Sequence, residues 1–357
     1  MSKELEYPFH ACATAQEAVK NADVVFTQTT GGEWVLEEDW LSPHATIIAS
    51  GTDQPTKNEL PPSVMSKAKF VTDITAQCSR VGELRSAIEA GVMTADDVHI
   101  EGAPTWTVKL AMVSFYNNVK KGLPAGSGVF VVCDATNGGP KAVLHENRYL
   151  TDLRAGAAGA VAVKHLAVKG AKSVAFIGTG VTAEAMARSS TTVHGFDQGF
   201  GYSRDMAKNS AFCDKMSKEL GYDFTPCSSA EEAVKNADVV FTQTTGAEWV
   251  LEEDWLRPHA TIIASGSDQP TKNEIPPAVM QKAQVVTDIT AQCLRVGELR
   301  SAVEAGVMKE TDVHAELGEV INGSKKGRSG EELIVCDLTG TGAQDAAIGS
   351  YVMKVLD

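Results

Sequence analysis

The apolar residues of this chain gather in short unbroken runs separated by polar stretches of helical character. Ser173 to Ile177 (SVAFI) is such a run, bounded by Gly170 and Gly178, and has the pattern of a strand buried on both faces. Further runs occur at Ala237 to Thr242 (ADVVFT), Ala260 to Ala264 (ATIIA) and Gln284 to Asp288 (QVVTD), with helix-like stretches such as Ala230 to Asn236 between or before them. Strands that alternate with helices predict an α/β fold with a parallel, doubly wound sheet.

The same pattern is written twice. Met1 to Glu101 aligns without a gap on Met216 to Glu316, with roughly 80% of the paired residues identical, which marks a duplication rather than a solenoid of short repeats. The first copy repeats the last three strands at Ala22 to Thr27, Ala45 to Ala49 and Lys69 to Asp73, and lacks the opening strand, its glycine turn and its helix. A half sheet of that kind leaves an apolar edge and face uncovered unless something packs there. The leading account is a tandem duplication read from an incomplete start; the competing one is a genuine protein whose extra half domain covers a subunit surface.

Between the copies, Val129 to Asp134 (VFVVCD) and Lys141 to Leu144 (KAVL) flank Asn137-Gly138-Gly139, a hairpin signal, and Ala155 to Leu166 is an alanine-rich helix able to pack closely. The expected organisation is therefore a partial duplicate at 1–101, the remnant of a small α+β domain at 102–165, a dinucleotide domain at 166–315, and a C-terminal segment at 316–357 that returns to the small domain.

Composition narrows the function classes. At 357 residues with 43% hydrophobic content the chain has ample material for buried cores, and a net charge of −14 leaves no general basic field for nucleic acid or anionic membrane. The cysteines are dispersed, with no CxxC pair, which points to reduced thiols in a reducing compartment; the cytoplasm is the expected location, with an organelle left open. No charged-then-apolar leader and no long apolar run is present, so no membrane partner is expected. No metal-ligand spacing and no GxSxG motif is found.

Gly178-Thr179-Gly180-Val181-Thr182-Ala183 is GxGxxA directly after a predicted strand and at the opening of a helix. Gly178 permits the tight turn, Gly180 lets backbone approach a pyrophosphate, and the small Ala183 lets helix and strand pack, the arrangement of a Rossmann-type dinucleotide site. The next strand ends at Gly199 to Tyr202 and runs into Ser203-Arg204-Asp205. A small polar residue followed by arginine accommodates the 2′-phosphate of NADP, so NADP is favoured over NAD, unless Asp205 is the acid that binds the ribose of NAD. Thr244, just beyond ADVVFT, joins Gly178, Thr179, Gly180, Val181, Ala183, Ser203 and Arg204 in the expected cofactor set. Asp268, in Gly266-Ser267-Asp268-Gln269-Pro270 after the strand ATIIA, is placed at the carboxyl-end crevice, where a carboxylate can hold an amine or exchange protons with an imine; a turn-forming Asp before Pro is the plain alternative. Its repeat, Asp53, is expected to be inert. Lys109 and Arg154 each put one cation beside apolar residues, suited to gripping a carboxylate but also common as surface charges.

WTVK, YLTDLRAGAAGA, FIGTGVTAEAMA, ADVVFTQTT, ASGSDQPTKNE and DLTGTGAQDAA, taken in order from about Pro104 to Asp357, resemble the ornithine cyclodeaminase and mu-crystallin family. The resemblance implies a dinucleotide domain joined to a small domain that mediates homodimerisation, and hydride transfer between nicotinamide C4 and Cα of a small amino or imino acid. It further implies that Lys109 and Arg154 bind the substrate carboxylate, that Asp268 acts on the amine or imine, and that Gly178, Gly180 and Ala183 form the phosphate turn. Cyclodeaminases of the family turn ornithine into proline and ammonia; reductase members consume NADPH or NADH on imino acids. Family members normally carry a further stretch before WTVK that completes the small domain, and here the repeated half domain takes its place. Three functions follow: an ornithine cyclodeaminase-type enzyme, an NAD(P)H-dependent ketimine reductase or amino-acid dehydrogenase, and a catalytically idle cofactor-binding duplicate.

Overall fold

The computed structural model of the chain describes residues 10–52, 54–68, 70, 75–94, 105–113, 121–123, 126–135, 137–246 and 248–356. The chain divides into two compact units. One comprises Met1–Thr107, Val131–Val143 and Met353–Asp357, and the other Val108–Phe130 and Leu144–Val352.

The first unit contains α1 (Ala15–Val19), β1 (Val24–Thr27), β2 (Thr46–Ala49), α2 (Pro62–Lys67), α3 (Thr75–Val81) and α4 (Glu83–Glu89). β1 and β2 pair in parallel as a two-stranded sheet. Val25, Leu36, Leu60, Met65 and Leu84 fill a core on one side of it. The other side is open: Val24 is 51% exposed and Phe26 71%. The third expected strand of this copy, Lys69 to Asp73, lies largely outside the described residues, as does Asp53.

β3 (Thr105–Val113), β4 (Gly126–Asp134) and β5 (Pro140–Glu146) form a three-stranded sheet in that order. The turn between the last two closes as its sequence predicts, with Gly138 at φ +73°, the Gly138 amide on the Asp134 carbonyl at 2.9 Å and the Asp134 amide on the Gly139 carbonyl at 2.8 Å.

The second unit continues with α5 (Tyr149–Leu166), β6 (Ser173–Ile177), α6 (Val181–Thr191), β7 (Gln198–Tyr202), α7 (Met206–Leu220), β8 (Asp223–Pro226), α8 (Ala230–Lys235), β9 (Val239–Thr242), β10 (Thr261–Ala264), α9 (Pro277–Lys282), β11 (Gln284–Thr287), α10 (Thr290–Val296), α11 (Glu298–Glu304), β12 (Ala315–Glu316), α12 (Leu317–Asn322), β13 (Ile334–Asp337) and α13 (Gly342–Leu356). Its sheet runs β12-β11-β13-β10-β9-β6-β7-β8, with all neighbours parallel. The order reverses between β6 and β9, which opens a crevice at their carboxyl ends. β13 comes from the segment expected to return to the small domain. Its run IVCD is buried at every position between β10 and β11, so this part of the segment belongs to the large sheet.

Every residue of β6, β9 and β10 is buried. Phe176 of β6 stacks on Phe241 of β9 at 5.0 Å between ring centroids and meets Phe212 of α7 edge-on at 5.7 Å. Glycines in α5 set the spacing above them. A Cβ on Gly156 would lie 2.6 Å from the Ala185 carbonyl of α6, and one on Gly159 would lie 2.9 Å from the Phe241 ring. The α5 helix thus packs at backbone distance, as its small residues predict, although it begins at Tyr149, earlier than the alanine-rich stretch alone shows.

The repeat makes an internal control. Asp238, just before β9, is buried and accepts hydrogen bonds from the Lys172 and Ser173 amides (2.8 and 3.1 Å), the Ser173 hydroxyl (2.9 Å) and Arg257 (2.5 Å), with the His259 ring at 3.1 Å. Burial works against its charge, yet these bonds hold the carboxyl well below the usual range. Its counterpart Asp23 has a side chain 82% exposed and meets only His44 among the described residues. Asp238→Ala is expected to destabilise the second unit by about 3–5 kcal/mol because buried donors lose their acceptor, whereas Asp23→Ala leaves unfolding unchanged. Denaturant unfolding of the two variants checks this.

Candidate active site

β6 ends at Ile177 and the chain turns at once. Gly178 sits at φ +95°, where a side chain would be strained, and a Cβ there would lie 2.9 Å from the Gln243 carbonyl beyond β9. Gln243 fastens the turn, donating to the Ile177 and Gly178 carbonyls at 3.1 and 2.5 Å. Gly180 is the N-cap of α6, and a Cβ built on it meets nothing within 4 Å. Ala183 is fully buried one turn into the helix. The turn therefore offers free amides, the positive end of a helix and open space above Gly180, as a pyrophosphate requires. The Thr179 hydroxyl is buried with no hydrogen-bond partner among the described residues.

A cavity of about 630 Å³ opens over this turn. Gly180, Val181, Thr244, Arg154 and Asp268 all line it, so five of the residues singled out in the sequence converge although they come from the loops after β6, β9 and β10, from the start of α6 and from α5. Of the other cofactor candidates, Gly178, Thr179 and Ala183 build the turn beneath the cavity, and Ser203 and Arg204 are not on its wall. Ser203 and Arg204 follow the end of β7; the Ser203 hydroxyl donates to the Asp205 carbonyl at 2.9 Å, and Arg204 is exposed. Asp205 is the N-cap of α7, its carboxylate accepting the Lys208 amide at 3.1 Å, and this occupies the one acid near the strand tip. Lys208, a turn farther on, does reach the cavity wall.

Lys109 is not on the wall either. It lies on β3 with its side chain 7% exposed, its ammonium 5.2 Å from the Phe130 ring centroid and 3.0 Å from Asp345 of α13. The same Asp345 oxygen is 3.3 Å from Arg154 Nε, and Arg154 Nη1 donates to Gln344 at 2.7 Å. Burial and the neighbouring Arg154 charge pull the Lys109 pKa below its ordinary value, while Asp345 works in the other direction.

Asp268 faces the cavity from the loop after β10, with Lys272 at 2.8 Å. Two buried carboxyls fix this loop from beneath. Glu274 accepts the Thr244 and Gly266 amides at 2.5 and 3.1 Å, tying together the loops after β9 and β10. Glu298 accepts the Glu274 amide at 2.9 Å, the Ile275 amide at 3.0 Å and the Ser267 hydroxyl. The first unit builds the same ties, with Glu59 on Thr29 and Gly51, and Glu83 on Thr52, Glu59 and Leu60.

Sequence reading missed several residues here. Lys272 lies four positions after Asp268, a helical spacing within a segment that looked like a turn. Gln344 and Asp345 stand in a quoted motif with no chemical signal of their own. Arg148, at φ +69° before α5, reaches Asp152 at 2.8 Å and Thr182 at 3.3 Å on the cavity wall; nothing in sequence announces a left-handed arginine.

Burial, with the nearby Asp337 charge, raises the Glu298 pKa to about 8, and burial raises Asp337 to about 7. A folded unit that keeps a proton which the unfolded chain releases near pH 4.5 loses that stabilisation as pH rises toward 8. Stability is expected to fall between about pH 4.5 and 8, and Glu298→Gln is expected to lessen the fall without removing it, because Asp337 titrates in the same sense. Denaturant unfolding across that pH range checks both.

The model of the ornithine cyclodeaminase/mu-crystallin family matches residues 1–102 and, again, residues 87–356. An uncharacterized cyclodeaminase of Sinorhizobium fredii is 38% identical over 268 residues, spanning 74% of this chain and 80% of its own length. Among solved structures, an archaeal alanine dehydrogenase dimer with bound NAD superposes with a TM-score of 0.67 at 31% identity, over 71% of this chain and 78% of that one. The Thermococcus litoralis Δ1-pyrroline-2-carboxylate reductase, in complex with NADH and L-proline, superposes with a TM-score of 0.66 at 27% identity, over 72% of this chain and 85% of that one. These relatives are NAD-linked or cyclodeaminase-type proteins on a Rossmann-like α/β sheet, and the second unit here has that sheet in the same class. The chain belongs to the ornithine cyclodeaminase/mu-crystallin family.

Proposed function

We propose that the second unit is an NAD(P)-dependent enzyme of ornithine cyclodeaminase type, acting on a small α-amino acid by way of an imine. The observation that carries this reading is the single cavity in which the glycine turn, Arg154 and Asp268 meet. When bound, the nicotinamide supplies or accepts the hydride at the substrate Cα. Gly180, Val181, Thr179 and Thr244 hold the cofactor. Arg154 grips the substrate carboxylate with its planar fork, Lys109 adding charge from behind. Asp268, oriented by Lys272 and by the carboxyl-braced loop, takes up or returns the proton at the amine nitrogen.

A second reading, an NADPH-dependent reductase of cyclic or linear imines, is favoured by one feature. Arg204 is exposed past the tip of β7 and Lys208 lies at the cavity wall, so two cations flank the place of a ribose 2′-phosphate, while Asp205 is engaged as a helix cap. Product analysis separates the readings: cyclodeamination of ornithine releases ammonia with no net cofactor consumption, and imine reduction oxidises one NADPH per product. The partners are a small amino or imino acid and a second copy of the chain, as in the dimeric relative; the first unit is a partial duplicate without a phosphate turn.

Gly180→Asp is expected to abolish NADPH binding, since its carboxylate would occupy the open space above the turn; a fluorescence titration reads this. Asp268→Asn is expected to lower turnover by about 10²–10⁴-fold with cofactor affinity kept, as steady-state kinetics on the accepted substrate would show. Arg204→Ala is expected to reduce the preference for NADPH over NADH by roughly 10- to 100-fold, measured as the ratio of dissociation constants.

A further inference from the structure

Three elements remote in sequence converge on one carboxylate. Lys109 comes from β3, Arg154 from α5 and Asp345 from α13, and a single Asp345 oxygen lies 3.0 Å from the Lys109 ammonium and 3.3 Å from Arg154 Nε. All three side chains are largely buried, and Gln344, the residue before Asp345, takes Arg154 Nη1 at 2.7 Å. Without the aspartate, two like charges would stand close together with little water, an arrangement that drives the cations apart or strips the proton from the lysine. With it, the trio carries one net positive charge, and Arg154 is held where it lines the cavity.

We infer that Asp345 is the positioning residue of the substrate-carboxylate site: it bridges Lys109 and Arg154 so that Arg154 meets the incoming carboxylate in one fixed orientation and Lys109 backs it with charge. This rests on the proposal that the cavity takes an α-amino or α-imino acid. Asp345 does not touch the substrate, and the opposite role, an internal carboxylate that competes with substrate for the same two cations, makes the opposite prediction. Besides Arg154 and Asp345, Glu146 also acts on Lys109, favouring its charged form, and it is engaged at the start of α5 with the Thr151 amide and hydroxyl.

The test uses the full chain with NADH bound and two probes, L-proline and pyrrolidine, which differ by the carboxylate alone. Dissociation constants are measured for wild type, Asp345→Asn and Asp345→Glu, with thermal unfolding alongside. Wild type is expected to prefer L-proline, Asp345→Asn to lose at least about tenfold of that preference, and Asp345→Glu to recover part of it, while NADH affinity is unchanged in all three. In Asp345→Asn the remaining L-proline affinity should weaken at lower pH than in wild type, because Lys109 has lost the partner that holds its proton; a role confined to folding would not move that profile. An unchanged or stronger L-proline preference in a folded Asp345→Asn overturns the inference and leaves the functional reading intact. A wild-type protein that binds NADH and neither probe overturns the functional reading, and the inference with it.

Discussion

The pairing of Ser173–Ile177 with a strand on each side is the contact on which the rest of the second unit depends. A parallel strand buried on both faces has no means of satisfying its backbone except through two neighbours, and no means of hiding its side chains except under helices on both sides. β6 meets both conditions, and its carboxyl end delivers the chain into the glycine turn at the reversal point of the sheet. The cavity exists because the loops after β6 and β9 diverge there.

The duplicated sequence shows what that contact is worth. The run VVFT occurs in both units with the same residues. In the second unit, β6 on one edge and β10 on the other leave all four positions buried. In the first unit, where this run pairs with β2 and with no other strand among the described residues, Val24 and Phe26 are open to solvent. Identical local propensity thus gives a strand in each case, and tertiary neighbours alone decide whether it becomes core. The carboxyl-braced loops tell the complementary story. Glu59 and Glu83 repeat the ties of Glu274 and Glu298 because those bonds are contained within the duplicated stretch, whereas the buried network of Asp238 uses Lys172 and Ser173, which lie outside it.

Legibility followed the same division. Runs such as SVAFI and ATIIA could be read as strands because burial on both faces leaves an unbroken apolar signature, and the glycine turn was legible because its backbone at Gly178 strains any side chain. The convergence of Arg154 and Asp268 was visible through the family resemblance and through the rule that open parallel sheets bind ligands at their carboxyl ends. What escaped was made by tertiary contact between polar residues with no local pattern: Asp345 reaching back to Lys109, Lys272 beside Asp268, Arg148 held in a left-handed conformation. The assignment of the C-terminal segment to the small domain was too coarse for a related reason. Its four-residue strand IVCD inserts between β10 and β11, while the helix after it carries Gln344 and Asp345 to Arg154, all within the second unit.

The most direct measurement of the central claim is a fluorescence titration of the purified chain with NADPH, with stoichiometry determined at saturation. The account predicts saturable binding of one cofactor per chain, because among the described residues the glycine turn belongs to the second unit. No saturable binding would contradict the assignment of the cavity, and two cofactors per chain would contradict the claim that the turn after Ser173–Ile177 is what makes a site.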